Sequence, residues 1–190
     1  ALKDCTTGNS NVVVGAEAAS DLTTGSYNTF MGLQAGHSTT TGYSNSALGY
    51  EVLEFNTTGH SNVAIGYRAI QQSTTSNNNV AIGDDALKNT NVGYQNVAIG
   101  AEALSSNTSG FSTVAIGYQA LLNNTASGCV AIGSQAMKLN TTGTGHTAVG
   151  HLALYSTTSG SENNTAIGDQ AVFSNTTGDF NIGVGSSTLY

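Results

Sequence analysis

The chain has 190 residues and a formal net charge of −7, yet only 15 of them are Asp, Glu, Lys or Arg, about a third of an ordinary soluble domain's share. Four basic residues cannot form the basic stripe that a nucleic-acid partner requires, and no apolar run approaches the roughly 18 residues of a membrane-spanning helix. Polarity rests on Asn, Ser, Thr and Gln, with no Pro and no Trp.

The chain opens at Ala1-Leu2 partway through a repeat and shows no secretory leader. It closes partway through another repeat at Leu189-Tyr190, which reads as a mature product or a piece of a longer fibre. The first complete unit ends at Gly15. The same pentad then closes on Gly32, Gly49, Gly66, Gly83, Gly100, Gly117, Gly133, Gly150, Gly168 and Gly185. The intervals are 17 residues except for one of 16 before Gly133 and one of 18 before Gly168. A fixed period of this kind outranks every other local signal.

Each pentad has the form seen at Asn62-Val63-Ala64-Ile65-Gly66, Asn79 to Gly83 and Asn96 to Gly100. Three or four β-prone residues before a glycine predict a short strand and then a corner. Strand side chains alternate, so Val63 and Ile65 share one face and Ala64 takes the other. Three residues past the glycine comes an Ala-Leu pair, as at Ala86-Leu87 and Ala103-Leu104, and then an Asn-Thr-Thr-Gly turn such as Asn56 to Gly59. Asn bonds to nearby backbone and Gly reaches positive φ, so that segment reads as a turn, with no room left for a helix. A helix pair cannot fit into 17 residues. The period predicts one all-β domain over residues 1–190: a parallel β-roll or β-solenoid of about eleven rungs, with two short strands and two or three corners per rung.

The departures from 17 fall at Ser127-Gly128-Cys129 and Ser161-Glu162-Asn163, both in corners, where a change of length does not shift a strand's faces. Two columns repeat almost without change. Thr stands eight residues after the glycine, as Thr57, Thr74 and Thr108, with Asn91 the exception. Asn heads the pentad as Asn62, Asn79 and Asn96, a column broken only by Thr113, Cys129 and His146. Identical polar side chains stacked at rung spacing form ladders. The structural ladder is therefore assigned to Asn62, Ile65, Gly66, Asn79, Ile82, Gly83, Asn96, Ile99, Gly100, Thr57, Thr74 and Thr108. The interior of so short a coil cannot hold both large aliphatic columns. Either the Ile or the Leu column is expected to face outward and be buried against other copies of the chain.

Cys5 and Cys129 fall about seven rungs, roughly 34 Å, apart at a 4.8 Å rung spacing, which rules out a bridge between them. His37, His60, His146 and His151 have no Cys or carboxylate at ligand spacing, and no Gly-Gly-x-Gly-x-Asp calcium repeat occurs. No Ser has a supporting His and carboxylate, and no phosphate-cradling loop precedes a helix. The reading is a non-enzyme without catalytic residues, metal or cofactor. Asn56, Asn107, Asn123, Asn140, Asn163 and Asn175 match the N-glycosylation spacing. The variable positions Tyr50, Tyr67 and Tyr118 after the glycine, and Tyr43, Tyr94 and Phe111 on a second wall, are the candidate ligand or interface surface.

The repeated Asn-Val-Ala-Ile-Gly pentads with Asn-Thr-Thr-Gly turns, from Asn11 to Gly185, resemble the head repeats of YadA-like trimeric autotransporter adhesins and related repeats of phage and viral tail fibres. The resemblance implies a left-handed parallel β-roll, three parallel chains around one axis, and attachment to a host surface or matrix. The seventeen-residue unit is longer than the adhesin unit by an Ala-Leu segment, closer to the viral-fibre version. Three roles follow as expectations: an adhesive or tail-fibre rod at a cell or virion surface, an end-to-end extracellular filament, or ice binding through the Thr ladder. Partners are other copies and a host glycan or protein, with no nucleic acid and no membrane insertion. The adjacent Thr residues, sitting in a Gly corner, disfavour ice binding.

Overall fold

The computed structural model describes residues 1–189, and every regular element in it is a β-strand. The strands are β1 (Val12–Val14), β2 (Thr29–Met31), β3 (Ser46–Tyr50), β4 (Val63–Tyr67), β5 (Val80–Ile82) and β6 (Val97–Ile99). They continue as β7 (Val114–Ile116), β8 (Val130–Ile132), β9 (Thr147–Val149), β10 (Thr165–Ile167) and β11 (Ile182–Val184). All eleven form one parallel sheet in sequence order. Parallel neighbours need a crossover of a dozen residues or so, and the rest of each 17-residue coil supplies it. The register is one of like on like: Val63 beside Val80, Ala64 beside Ala81, Ile65 beside Ile82. It passes through both length changes intact, with Val114 beside Val130 and Thr165 beside Thr147.

The interior holds three apolar columns, one of them the corner residues Val52, Ala69, Ala86 and Ala103. Ala64, Ala81, Ala98 and Ala115 enter it from the strands, and Leu53, Ile70, Leu87, Leu104, Leu121, Met137 and Leu154 enter it from the opposite corner, all fully buried. The Leu column is therefore inside. The Ile column points out, with Ile65, Ile82 and Ile132 between 36 and 38% exposed although they lie in the middle of the sheet.

Only one strand forms per rung, where two were expected. The Ala-Leu segment is a run of turns, because its residues alternate into the left-handed region: Arg68 has φ 52° and Ile70 φ 51°, and Glu51 and Leu53 repeat the pattern. That alternation aims successive N–H groups in opposite directions along the rod. Arg68 N–H donates back to Tyr50 O at 2.9 Å, whereas Ile70 N–H donates forward to Ala86 O at 3.0 Å. The left-handed conformation costs an ordinary residue about 1–2 kcal/mol. Burying the Leu or Ile at the second such position offsets part of that cost, and the hydrogen bonds that both N–H groups make to the neighbouring rungs offset the rest.

The two glycine columns do different work. Gly66 sits at φ 130°, outside the range of L residues, and a Cβ there would lie 2.6 Å from Gly83 O of the next rung. Gly59, closing the Asn-Thr-Thr-Gly turn, is not at positive φ, contrary to the expectation for that turn. Glycine is required there for space, since a Cβ would lie 2.2 Å from Asn56 Oδ1 and 2.4 Å from Ser76 O.

Candidate functional site

The Asn column is internal and fully bonded. Asn62 Oδ1 accepts the backbone N–H of Asn79 at 3.1 Å, and Asn62 Nδ2 donates to Ser76 O at 2.8 Å. Asn79 Oδ1 in turn accepts Asn96 N–H at 3.0 Å, and Asn96 Nδ2 donates to Gly110 O at 2.8 Å. Each of these buried amides thus satisfies a backbone donor one rung on and the carbonyl of a turn residue, Ser76 for Asn62 and Gly110 for Asn96. The Thr column also bonds along the rod. Thr57 Oγ1 donates to Thr74 O at 2.9 Å, and Thr40 Oγ1 does the same to Thr57 O at 3.1 Å. Thr74 Oγ1 donates instead to Asn91 Oδ1, and Thr108 O accepts Asn91 N–H at 3.1 Å, so the substitution at 91 keeps the column connected. The hydroxyls of Thr40, Thr57 and Thr74 are engaged on the neighbouring rung and are not a free outward array.

The Asn of the Asn-Thr-Thr-Gly turn bonds to its own nearby backbone, as expected, and forms a further buried column. Asn56, Asn107 and Asn140 are fully buried, and each Nδ2 donates to the carbonyl of the glycine three residues later, at 3.2, 3.2 and 3.0 Å. These three match the glycosylation spacing but turn their amides inward. Asn163 is exposed.

The outward side of the sheet is the largest continuous feature. It carries Val63 and Ile65, Val80 and Ile82, Val97 and Ile99, and their equivalents in every rung. None of the twenty-two positions in these two columns is charged. At about 4.8 Å per rung the strip runs about 48 Å, and at a width of about 10 Å it covers roughly 500 Å², the upper end of what a monomer leaves bare. Strands β3 and β4 extend one pair further, so Tyr50 and Tyr67 lie on this same face as Leu48 and Ile65.

Aromatic residues stack one rung apart. Tyr50 and Tyr67 have centroids 5.1 Å apart and planes within 12°, and Arg68 Cζ lies 4.4 Å from the Tyr67 centroid. Tyr94 and Phe111 stack at 5.0 Å and 1°. Tyr43 stacks on His60 at 4.5 Å, and Tyr155 on Phe173 at 5.2 Å. The last two pairs escaped sequence reading, the first because a His completes it. The second is hidden because the longer rung sets its members 18 apart. Tyr118, 49% exposed, stands between Ala101 and Ser134 in its column. Each stack presents ring edges and turns part of each face toward its neighbour.

Charge gathers at the rungs of β3 to β5. Arg68 Nε lies 2.9 Å from Asp85 Oδ1 and Lys88 Nζ 3.4 Å from Asp85 Oδ2, while Gln71 Nε2 donates to both Glu51 and Glu54 at 2.8 and 2.7 Å. A hydrogen bond with Glu51, and then its charge, push the Tyr50 hydroxyl above its ordinary pKa. Elsewhere His151 Nδ1 lies 2.8 Å from Asp169 Oδ1, with both side chains half exposed. Among the described residues no three His, Cys, Asp or Glu side chains converge to hold a metal ion, and no helix is long and apolar enough to cross a membrane.

Comparison of the chain with protein-family models, curated proteins and solved structures finds no match. The fold is a parallel β-solenoid of the general type used by repetitive adhesins and tail fibres.

Proposed function

We propose that this chain is a non-enzymatic rod segment of an extracellular adhesive fibre, either the head of a YadA-like cell-surface adhesin or part of a phage or viral tail fibre. Three parallel copies pack along the rod through the outward Val and Ile columns. The observation that carries this reading is the uncharged aliphatic strip running the whole length of an eleven-stranded sheet whose own core is already filled by Ala and Leu. A lone chain gains nothing from an Ile column in water, whereas a second copy buries it at about 25 cal/mol per Å². In-register stacking makes the rod stiff, because each rung is hydrogen-bonded to both neighbours. The variable aromatics Tyr43, Tyr94 and Phe111, with Tyr118, supply the surface for a host glycan or protein.

Sedimentation tests the assembly. Micromolar protein is expected at about three times the 19.2 kDa chain mass. The double variant Ile65→Lys/Ile132→Lys is expected to sediment as a single chain with an unchanged β circular-dichroism spectrum. A wild-type monomer, or an oligomer indifferent to both lysines, overturns the proposed interface. Particles that lengthen with concentration would instead favour end-to-end stacking through β1 and β11, the sheet's two edge strands.

A further inference from the structure

The Asn column is replaced in one stretch only, by Thr113, Cys129 and His146; the short rung falls within that stretch and the long rung directly follows it. At the step from β9 to β10 the imidazole of His146 does the work of an Asn amide. It is 1% exposed, and its Nδ1 accepts the backbone N–H of Asn164 at 3.1 Å, where other steps use Oδ1. Its Nε2 lies 3.2 Å from Ser161 Oγ, on the corner carrying the inserted residue. An Nδ1 that accepts a hydrogen bond holds no proton, so the neutral ring carries its hydrogen on Nε2 and donates to Ser161.

An Asn amide does not titrate, and an imidazole does. A second proton would have to enter at Nδ1, where it would face the N–H of Asn164, donor against donor, with a buried backbone group left unpaired. The titratable groups around the ring are Cys129 one rung before it in the column, Glu162 beside Ser161, and Asp179, whose carboxylate accepts Glu162 N–H at 2.8 Å. Cys129 stays a neutral thiol because burial raises its pKa. Burial disfavours the charged ring most, while the Ser161 backbone and the charge of Asp179 favour it less strongly, so the proton affinity is lowered.

We infer that the His146–Asn164 step is a proton-operated joint in the rod, closed at neutral pH and opening locally between β9 and β10 in acid, while the amide steps elsewhere stay shut. The sign follows from linkage. With the folded affinity lowered, the opened state binds more protons, so the step is fully stable above the ordinary His range near pH 6.5 and weakens as pH falls through and below it. A rod with one such joint loosens at a fixed place as the pH falls.

Hydrogen exchange read by mass spectrometry on the whole chain, at about pH 7.5 and about pH 5 with intrinsic rates corrected, tests this. The peptide containing Asn164 is expected to lose protection about tenfold or more in acid, and peptides containing Asn79 and Asn96 to lose none. The variant His146→Asn, which installs the side chain found at most other steps, is expected to remove the pH dependence. Equal protection of Asn164 at both pH values, or an equal loss in His146→Asn, overturns the joint. The nitrogen shifts of His146 give a second reading that needs no variant: a neutral ring protonated on Nδ1 at pH 7.5 would also sink it.

Discussion

The ring of Phe30 occupies the space that Gly36 leaves vacant. A Cβ on Gly36 would lie 2.5 Å from Phe30 Cε1, and both residues are buried. In the standard rung the strand position is Ala and the corner position four after the glycine is Leu or Ile, as in Ala64 and Ile70. Here the large and small residues have changed places across the core. Val13 with Ala19 in the first rung is an intermediate version. What the rung holds fixed is the summed volume of two residues on opposite walls, as a core packed to crystal density requires.

Exchanging that pair back should therefore be tolerated. Phe30→Ala alone is expected to lose about 3–5 kcal/mol through the cavity it opens, and Gly36→Leu alone to destabilise by overpacking. The double variant Phe30→Ala/Gly36→Leu should recover most of the loss in urea denaturation, since position 36 already has the φ of 62° near the 52° at which Leu53 sits. Additive losses would show that the two side chains do not share one space.

Asn62 tests the amide ladder. Its replacement by Ala leaves Asn79 N–H without its acceptor and Ser76 O without a donor, both inside the rod. A loss of about 2–3 kcal/mol is expected, with exchange protection falling first at Asn79. Ile65→Ala on the outward face of the same rung should cost an isolated chain much less.

The pentad glycines and the corner glycines should respond differently to alanine. Gly66→Ala places a methyl group 2.6 Å from Gly83 O at a φ of 130°, and it is expected to break the stack locally, with a visible drop in melting temperature. Gly128 has φ 72° and nothing within 4 Å of an added Cβ, and its column holds Ser61 and Ser112 at φ 57° and 52°. Gly128→Ala should cost about 1 kcal/mol, the ordinary left-handed penalty. Comparable melting temperatures for the two variants would contradict this account.

The two thiols should label at different rates. Cys129 is buried, and desolvation raises its pKa, so the reactive thiolate is scarce and shielded. Cys5 is only partly buried. Iodoacetamide at neutral pH, followed by peptide mass spectrometry, is expected to modify Cys5 first and Cys129 only after denaturation.

Much of this architecture is legible in the chain because a solenoid's tertiary neighbours are also its sequence neighbours at a constant offset. Val63 meets Val80, and Tyr50 meets Tyr67, for the same reason that they align when the repeats are written under one another. The Asn and Thr columns are legible in the repeats alone, since only stacking gives a reason to repeat a polar residue every rung. Less legible was the work of residues that meet across a rung or along a disturbed one, such as Phe30 with Gly36, or Tyr155 with Phe173 eighteen residues away.

The period, the strand positions, the like-on-like register and the corners that absorb a lost or gained residue can all be read from the repeats alone. Periodic contacts are written directly into a periodic chain. That the Leu column fills the interior and the Ile column faces out emerges only in the folded rod, because both are equally apolar and alternation assigns residues to faces without saying which face is inside. The same holds for the Ala-Leu turn: the left-handed conformations of Arg68 and Ile70 are held by hydrogen bonds to the rungs on either side, and no local propensity records those.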